Sequence, residues 1–291
     1  MTQFLDCRMA PVGGELATSV AVCQGASIDN YTGLDMGQLL NAIGGQHVLI
    51  ATHGFNVNRA DGIACLSNWE GLLQLPEDAA FVGLLWPGDS IWAHGLDYPE
   101  EPRLADNAGV LIAEFLDTVF AGAASISFAS HSLGARVVLS TVNNMSLPVR
   151  RVMLMAGAVD DDCLSNEFQA AAAKVEQISL LVSKQDEVLS FAFPGGNFFS
   201  GILAAGHPWW RAALGHAGAA TPWPSNLQAP FMIPDNWNYQ HSNYLQVDPP
   251  PPPPALPVPI GVPPNGSPFP ANGARGWSEA FSAAFVSTRF R

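Results

Sequence analysis

Residues 125–136 read Ser-Ile-Ser-Phe-Ala-Ser-His-Ser-Leu-Gly-Ala-Arg. An apolar run ends abruptly in Ser-His-Ser-Leu-Gly, and a segment able to form helix follows it. A serine on a sharp strand-to-helix turn stands exposed at the end of a sheet, where its hydroxyl can attack a carbonyl carbon. Such a turn imposes an unfavourable φ/ψ on the serine and brings backbone segments close together. Small residues are therefore needed on both flanks. Ser130 and Gly134 fill those places around Ser132, with serine standing where glycine is more usual.

A serine hydroxyl is a weak nucleophile at neutral pH. It needs a base within hydrogen-bond reach, and the base needs a group to orient it. One known chain order for the three groups is serine, then acid, then histidine. Asp186 is the expected acid. It follows the apolar run Ile178–Val182 and opens the loop Ser-Lys-Gln-Asp-Glu. A carboxylate just beyond a strand's C-terminal end lies on the edge where open α/β sheets bind ligands. Glu187 beside it, and Asp160, Asp161 and Asp162 after the preceding strand, are rivals. His241, the last histidine of the chain, is the expected base. His207 and His216 also follow Asp186, but both sit in a Trp/Ala/Gly-rich segment. His131 adjoins Ser132 and is expected to pack under the turn as a structural residue. His47 and His94 carry no supporting pattern.

An attacked carbonyl develops negative charge on oxygen, and preorganised N–H donors stabilise it. The backbone of Leu133, next after the serine, is one expected donor. The other is Phe55, in the loop His53-Gly54-Phe55-Asn56, which should follow the third strand. His-Gly alone is as readily an ordinary turn; its place upstream of Ser132 favours the catalytic reading. Trp86, Trp209 and Trp210 are candidates for substrate contact, although clustered aromatics are as often core. Asp89, in Trp-Pro-Gly-Asp, reads more readily as a turn cap than as a binding residue. The Asp160–Asp162 run lacks the spacing of a metal site, so no metal and no cofactor are expected.

These residues need a sheet to hold them. Strand-like runs recur at His47–His53, Phe81–Trp86, Ser125–Ala129, Arg151–Ala156 and Gln177–Val182. They are short and nearly continuous, as suits strands buried on both faces of a parallel sheet. Helical segments separate them, most clearly Gly33–Ile43 and Arg103–Phe120. Val20–Cys23 reads as an antiparallel edge strand. The alternation predicts an α/β fold with a mostly parallel central sheet flanked by helices. Residues 1–247 form that domain in this reading, and the aromatic, Gly- and Pro-rich stretch 190–240 is a cap-like insertion before His241. Residues 248–291 are a proline-rich extension opened by Pro249–Pro254 and closed by a short helix with Trp277, Phe281 and Phe285 on one stripe.

The 291 residues are 48% hydrophobic and 13% charged, enough to bury a large core. Twelve basic residues against 25 acidic ones give a formal charge of −13. Without a basic run, nucleic acid is not an expected partner. No apolar stretch reads as a bilayer span, so no integral membrane association is expected. The four cysteines show no metal spacing or dense disulfide frame. With no leader-like N-terminus, the reading is a cytoplasmic protein with reduced thiols. Oligomeric state is not legible.

Taken together, these pieces resemble the α/β-hydrolase superfamily, and within it a bacterial branch of serine hydrolases grouped as α/β-hydrolases of unknown function. The matching pieces are His-Gly-Phe-Asn at 53–56, Leu-Leu-Trp-Pro-Gly-Asp at 84–89, Ser-His-Ser-Leu-Gly-Ala at 130–135, Met-Ala-Gly-Ala-Val-Asp at 155–160, Gln-Asp at 185–186 and His-Ser-Asn-Tyr at 241–244. The resemblance implies esterase- or lipase-like chemistry on a small-molecule ester through an acyl-enzyme, with apolar acyl groups favoured. An acyltransferase or thioesterase would use the same residues. A non-catalytic binding module is the third reading, with only the proline run in its favour.

Overall fold

A computed structural model describes residues 1–73, 75–89, 101–192, 211–228 and 230–244. Its strands are β1 (Thr2–Arg8), β2 (Leu16–Gly25), β3 (Thr32–Gly33), β4 (His47–Thr52), β5 (Ala79–Leu85), β6 (Ser125–His131), β7 (Val149–Met155), β8 (Val175–Val182) and β9 (Phe231–Met232). They make one sheet in the order β3-β2-β1-β5-β4-β6-β7-β8-β9. From β1 to β9 every neighbouring pair is parallel, while β2 runs antiparallel to β1 and to β3. The expected α/β architecture is the one observed.

The five apolar runs form the centre of this sheet. Their C-terminal halves are buried almost without interruption, which is why they read as continuous rather than alternating. Helices α1 (Met36–Ile43), α2 (Arg59–Leu72), α3 (Glu101–Val119), α4 (Gly134–Asn144) and α5 (Gln169–Lys174) connect the strands. The α4 helix is buried from Gly134 to Val142, so it lies between the sheet and α3 rather than on the surface. That position suits a helix that must hold the elbow rigidly.

Three expectations change. The helix expected from Gly33 begins at Met36, because Asp35 caps it through Gly37 N and closes a capping box with Gln38, while Thr32–Gly33 pairs with β2. The Val20–Cys23 strand extends over Leu16–Gly25 and lies inside β3 rather than at the edge. His47–Thr52 is the fourth strand, since β1 precedes it unannounced. Within the stretch 190–240, Phe231–Met232 adds to the sheet beside β8. Residues 193–210 and 245–291 lie outside the described residues, and with them part of the aromatic stretch and the whole proline-rich extension. Among the described residues, no helix is long and apolar enough to cross a membrane.

Candidate active site

β6 runs straight into Ser132, and α4 starts two residues later. Ser132 has φ +54°, the left-handed region that costs a non-glycine residue on the order of 1–3 kcal/mol. Three backbone bonds hold it there. Ser132 N donates to Met155 O at 3.0 Å, and Ser132 O accepts from Ala135 N and Ala158 N at 3.0 and 3.1 Å. The turn also needs space that only glycine leaves. A Cβ on Gly134 would meet the His53 carbonyl at 2.4 Å, and one on Gly54 would meet Ser132 Cβ at 2.7 Å. Ser130, the non-glycine flank, is wholly buried in β6.

The expected acid and base come from separate loops. Asp186 follows β8 after a short turn and is completely buried. Its Oδ1 accepts from Leu189 N at 3.0 Å, which leaves Oδ2 facing the histidine. His241 lies on a single 3-10 turn, His241–Asn243. Its Nδ1 is 2.7 Å from Asp186 Oδ2 and its Nε2 is 2.8 Å from Ser132 Oγ. A carboxylate only accepts, so Nδ1 carries the hydrogen and the bare Nε2 accepts from the serine hydroxyl. The structure therefore brings Ser132, His241 and Asp186 into one hydrogen-bonded line.

The rivals stand elsewhere. Glu187 is exposed, and its amide donates to Gln240 Oε1. Asp161 and Asp162 pair with Arg211 at 3.4 and 2.6 Å. His216 lies in the short helix Leu214–Ala217, and His207 is outside the described residues. Among the described residues, no group of three or more His, Cys, Asp or Glu is placed to hold a metal ion.

Leu133 is buried at the N-cap of α4, among the N–H groups that a helix start leaves without intrahelical partners. Phe55 follows Gly54 in the loop that passes beside Ser132. That loop is held from both sides. Asn56 N donates to Gly88 O at 2.7 Å, and Trp86 Nε1 donates to His53 O at 3.0 Å. Trp86 is wholly buried and stacks on His53 at 5.9 Å between centroids. It is therefore a support beneath the loop, not the substrate contact expected from its position after β5. Trp209 and Trp210 are outside the described residues.

The sequence reading missed Arg8. This buried guanidinium donates to Val57 O at 3.0 Å and to Trp86 O at 2.9 Å, and it pairs with Asp89. Asp89 also accepts from Gly13 N at 3.2 Å, so it answers a buried charge rather than capping a local turn. A lone arginine near the N-terminus offers no pattern from which this could be read.

His53 is buried and His131 partly so, and desolvation lowers each pKa to about 3, so both rings are neutral. His53 Nδ1 donates to Gly54 O at 2.9 Å, and His131 Nε2 donates to His241 O at 2.9 Å. His131 thus contacts His241 directly, a stronger tie than packing under the elbow.

A family model described as alpha/beta hydrolase of unknown function (DUF900) matches residues 34–198, more than half of the chain. None of the curated proteins matches. Among solved structures, a CIB-like hydrolase from Thermoplasma acidophilum is similar at TM-score 0.39 and 15% identity, over 69% of this chain and 80% of that one. The esterase PE8 is similar at TM-score 0.37 and 16% identity, over 69% and 87%. Acetyl xylan esterase 1 from Thermoanaerobacterium sp. JW/SL YS485 is similar at TM-score 0.40 and 12% identity, over 82% of each chain.

Proposed function

The chain belongs to this α/β-hydrolase family, and from that premise we propose that it is a serine hydrolase cleaving carboxylic esters through an acyl-enzyme. The observation that carries the reading is the line Ser132–His241–Asp186, with 2.8 and 2.7 Å between its members. In this reading His241 Nε2 takes the proton of Ser132 as Oγ attacks the acyl carbon. The same histidine then gives that proton to the leaving alcohol. Asp186 holds the imidazole in the tautomer that leaves Nε2 bare and stabilises the imidazolium as it forms. The amides of Leu133 and Phe55 receive the developing oxyanion. Water, activated by His241, then releases the acid and restores the serine.

Initial rates on p-nitrophenyl esters from acetate to palmitate test the proposal, with Ser132→Ala as control. The expected result is serine-dependent turnover with an optimum at one chain length, and labelling of Ser132 by a fluorophosphonate. Turnover unchanged in Ser132→Ala, or a folded wild type that neither turns over nor labels, would overturn it.

A further inference from the structure

The base of this site must be placed to within a fraction of an ångström, yet His241 stands on a three-residue turn outside any strand or long helix. On the acid side the turn is tied down twice. Ser183 Oγ donates to Tyr239 O at 2.6 Å, and Glu187 N donates to Gln240 Oε1 at 3.3 Å. On the serine side the tie is His131, the residue covalently next to Ser132. Its Nε2 lies 2.9 Å from the carbonyl of His241, and the two rings are 4.8 Å apart. Tyr244 closes over His131 at 5.5 Å between centroids.

We propose that His131 is the positioning residue of this site, locking the backbone of His241 to the serine elbow. The proposal rests on the serine-hydrolase reading and deepens it. The chemistry of residue 131 is narrowly specified by its neighbours. A carbonyl only accepts, so the position needs a donor. A positive charge is excluded, because His241 itself becomes an imidazolium during the reaction and two cations at this distance repel. Desolvation at this partly buried place keeps His131 uncharged, with its single hydrogen on Nε2 and its Nδ1 bare. The bare Nδ1 faces Gly54, where an added Cβ would approach it to 3.1 Å, so the ring also borders the oxyanion loop. A neutral histidine meets all of these requirements; lysine and arginine meet only the first.

Two variants separate positioning from packing. His131→Phe keeps a ring of similar shape and loses the donor; His131→Gln keeps a neutral N–H near the place of Nε2. The readouts are the fluorophosphonate labelling rate of Ser132, the low-field proton resonance of the His241 Nδ1–H bond to Asp186, and thermal unfolding. His131→Phe is expected to label roughly 10- to 100-fold more slowly, with that resonance broadened or lost and unfolding little changed. His131→Gln is expected to regain most of the labelling rate and the resonance. Wild-type labelling and an intact resonance in His131→Phe would overturn the proposal, as would a Gln variant no better than Phe. Should the wild type itself not label, the serine-hydrolase reading fails, while the resonance, which needs no turnover, still decides the role of His131.

Discussion

Gly54 and Ser132 pack so closely that a Cβ on the glycine would lie 2.7 Å from the Cβ of the serine. The obstructing atom is the Cβ of the proposed nucleophile, not the free end of a flexible chain. Gly54→Ala must therefore displace either the elbow or the loop carrying Phe55. Overpacking of this kind costs about 1–3 kcal/mol in stability. A displacement near 1 Å at a reacting group costs roughly 100-fold in rate. The expected variant folds, melts somewhat earlier, and loses about two orders of magnitude in kcat/KM toward a p-nitrophenyl ester. A near wild-type rate would show that the loop yields without disturbing Ser132.

Asp186→Asn tests the orientation of the base. Asparagine keeps the oxygen that accepts from Leu189 N and turns an N–H toward His241 Nδ1. The imidazole must then carry its hydrogen on Nε2, facing Ser132 Oγ, where it can no longer accept the proton. The expected loss in kcat is about 10⁴-fold, the scale known for the same exchange in the chymotrypsin-type triad, with KM little changed. Steady-state kinetics on one ester substrate decide it. A loss below about tenfold would mean that the carboxylate does not set the tautomer.

What could be read from the residues, and what could not, follows from where the partners lie. The central strands were legible because burial on both faces leaves a contiguous apolar run, as in His47–Thr52 and Ser125–His131. Ser132 and Asp186 stood out because each follows an apolar run, and His241 because it is the last histidine of the chain, after the Asp186 loop. β1 was not. Its Asp6 and Arg8 interrupt the apolar residues, and only the fold brings them Arg59, Tyr31 and Asp89, which lets both be buried. α2 was not named either, because Gly62 and Gly71 interrupt its pattern. The tie from His131 to the His241 carbonyl joins residues 110 apart, and no local spacing announces it.

His53 makes the fold sensitive to acid. Burial lowers its pKa to about 3 in the folded protein, against 6.5 for the free side chain. Between those values the unfolded chain binds a proton that the folded chain does not. Stability from this group is therefore fully present above pH 6.5 and declines as the pH falls toward 3. The slope is at most about 1.4 kcal/mol per pH unit. His131 acts with the same sign, but it is present in both proteins and cancels in a comparison. His53→Gln, which cannot titrate, is expected to flatten the fall in unfolding free energy between about pH 6 and pH 4 by roughly that slope. Urea unfolding at several pH values checks this, and parallel curves for the two proteins would refute it.

Arg8 and Asp89 are expected to show the asymmetry of a buried ion pair. The guanidinium is fully enclosed, and besides the carboxylate it serves the carbonyls of Trp86 and Val57, on the two loops beside Phe55. Removing the cation alone leaves Asp89 buried and unpaired, which costs about 3–5 kcal/mol. Removing both charges together leaves no orphan, so Arg8→Met with Asp89→Leu should recover a large part of that loss. Activity should not recover in step, because neither methionine nor leucine can hold the two loop carbonyls. The double variant is thus expected to be more stable than Arg8→Met while remaining about as slow on ester substrate. Chemical unfolding and kcat/KM on the same three proteins separate the two effects. A double variant that regains full activity would show that the loop carrying Phe55 keeps its shape without Arg8.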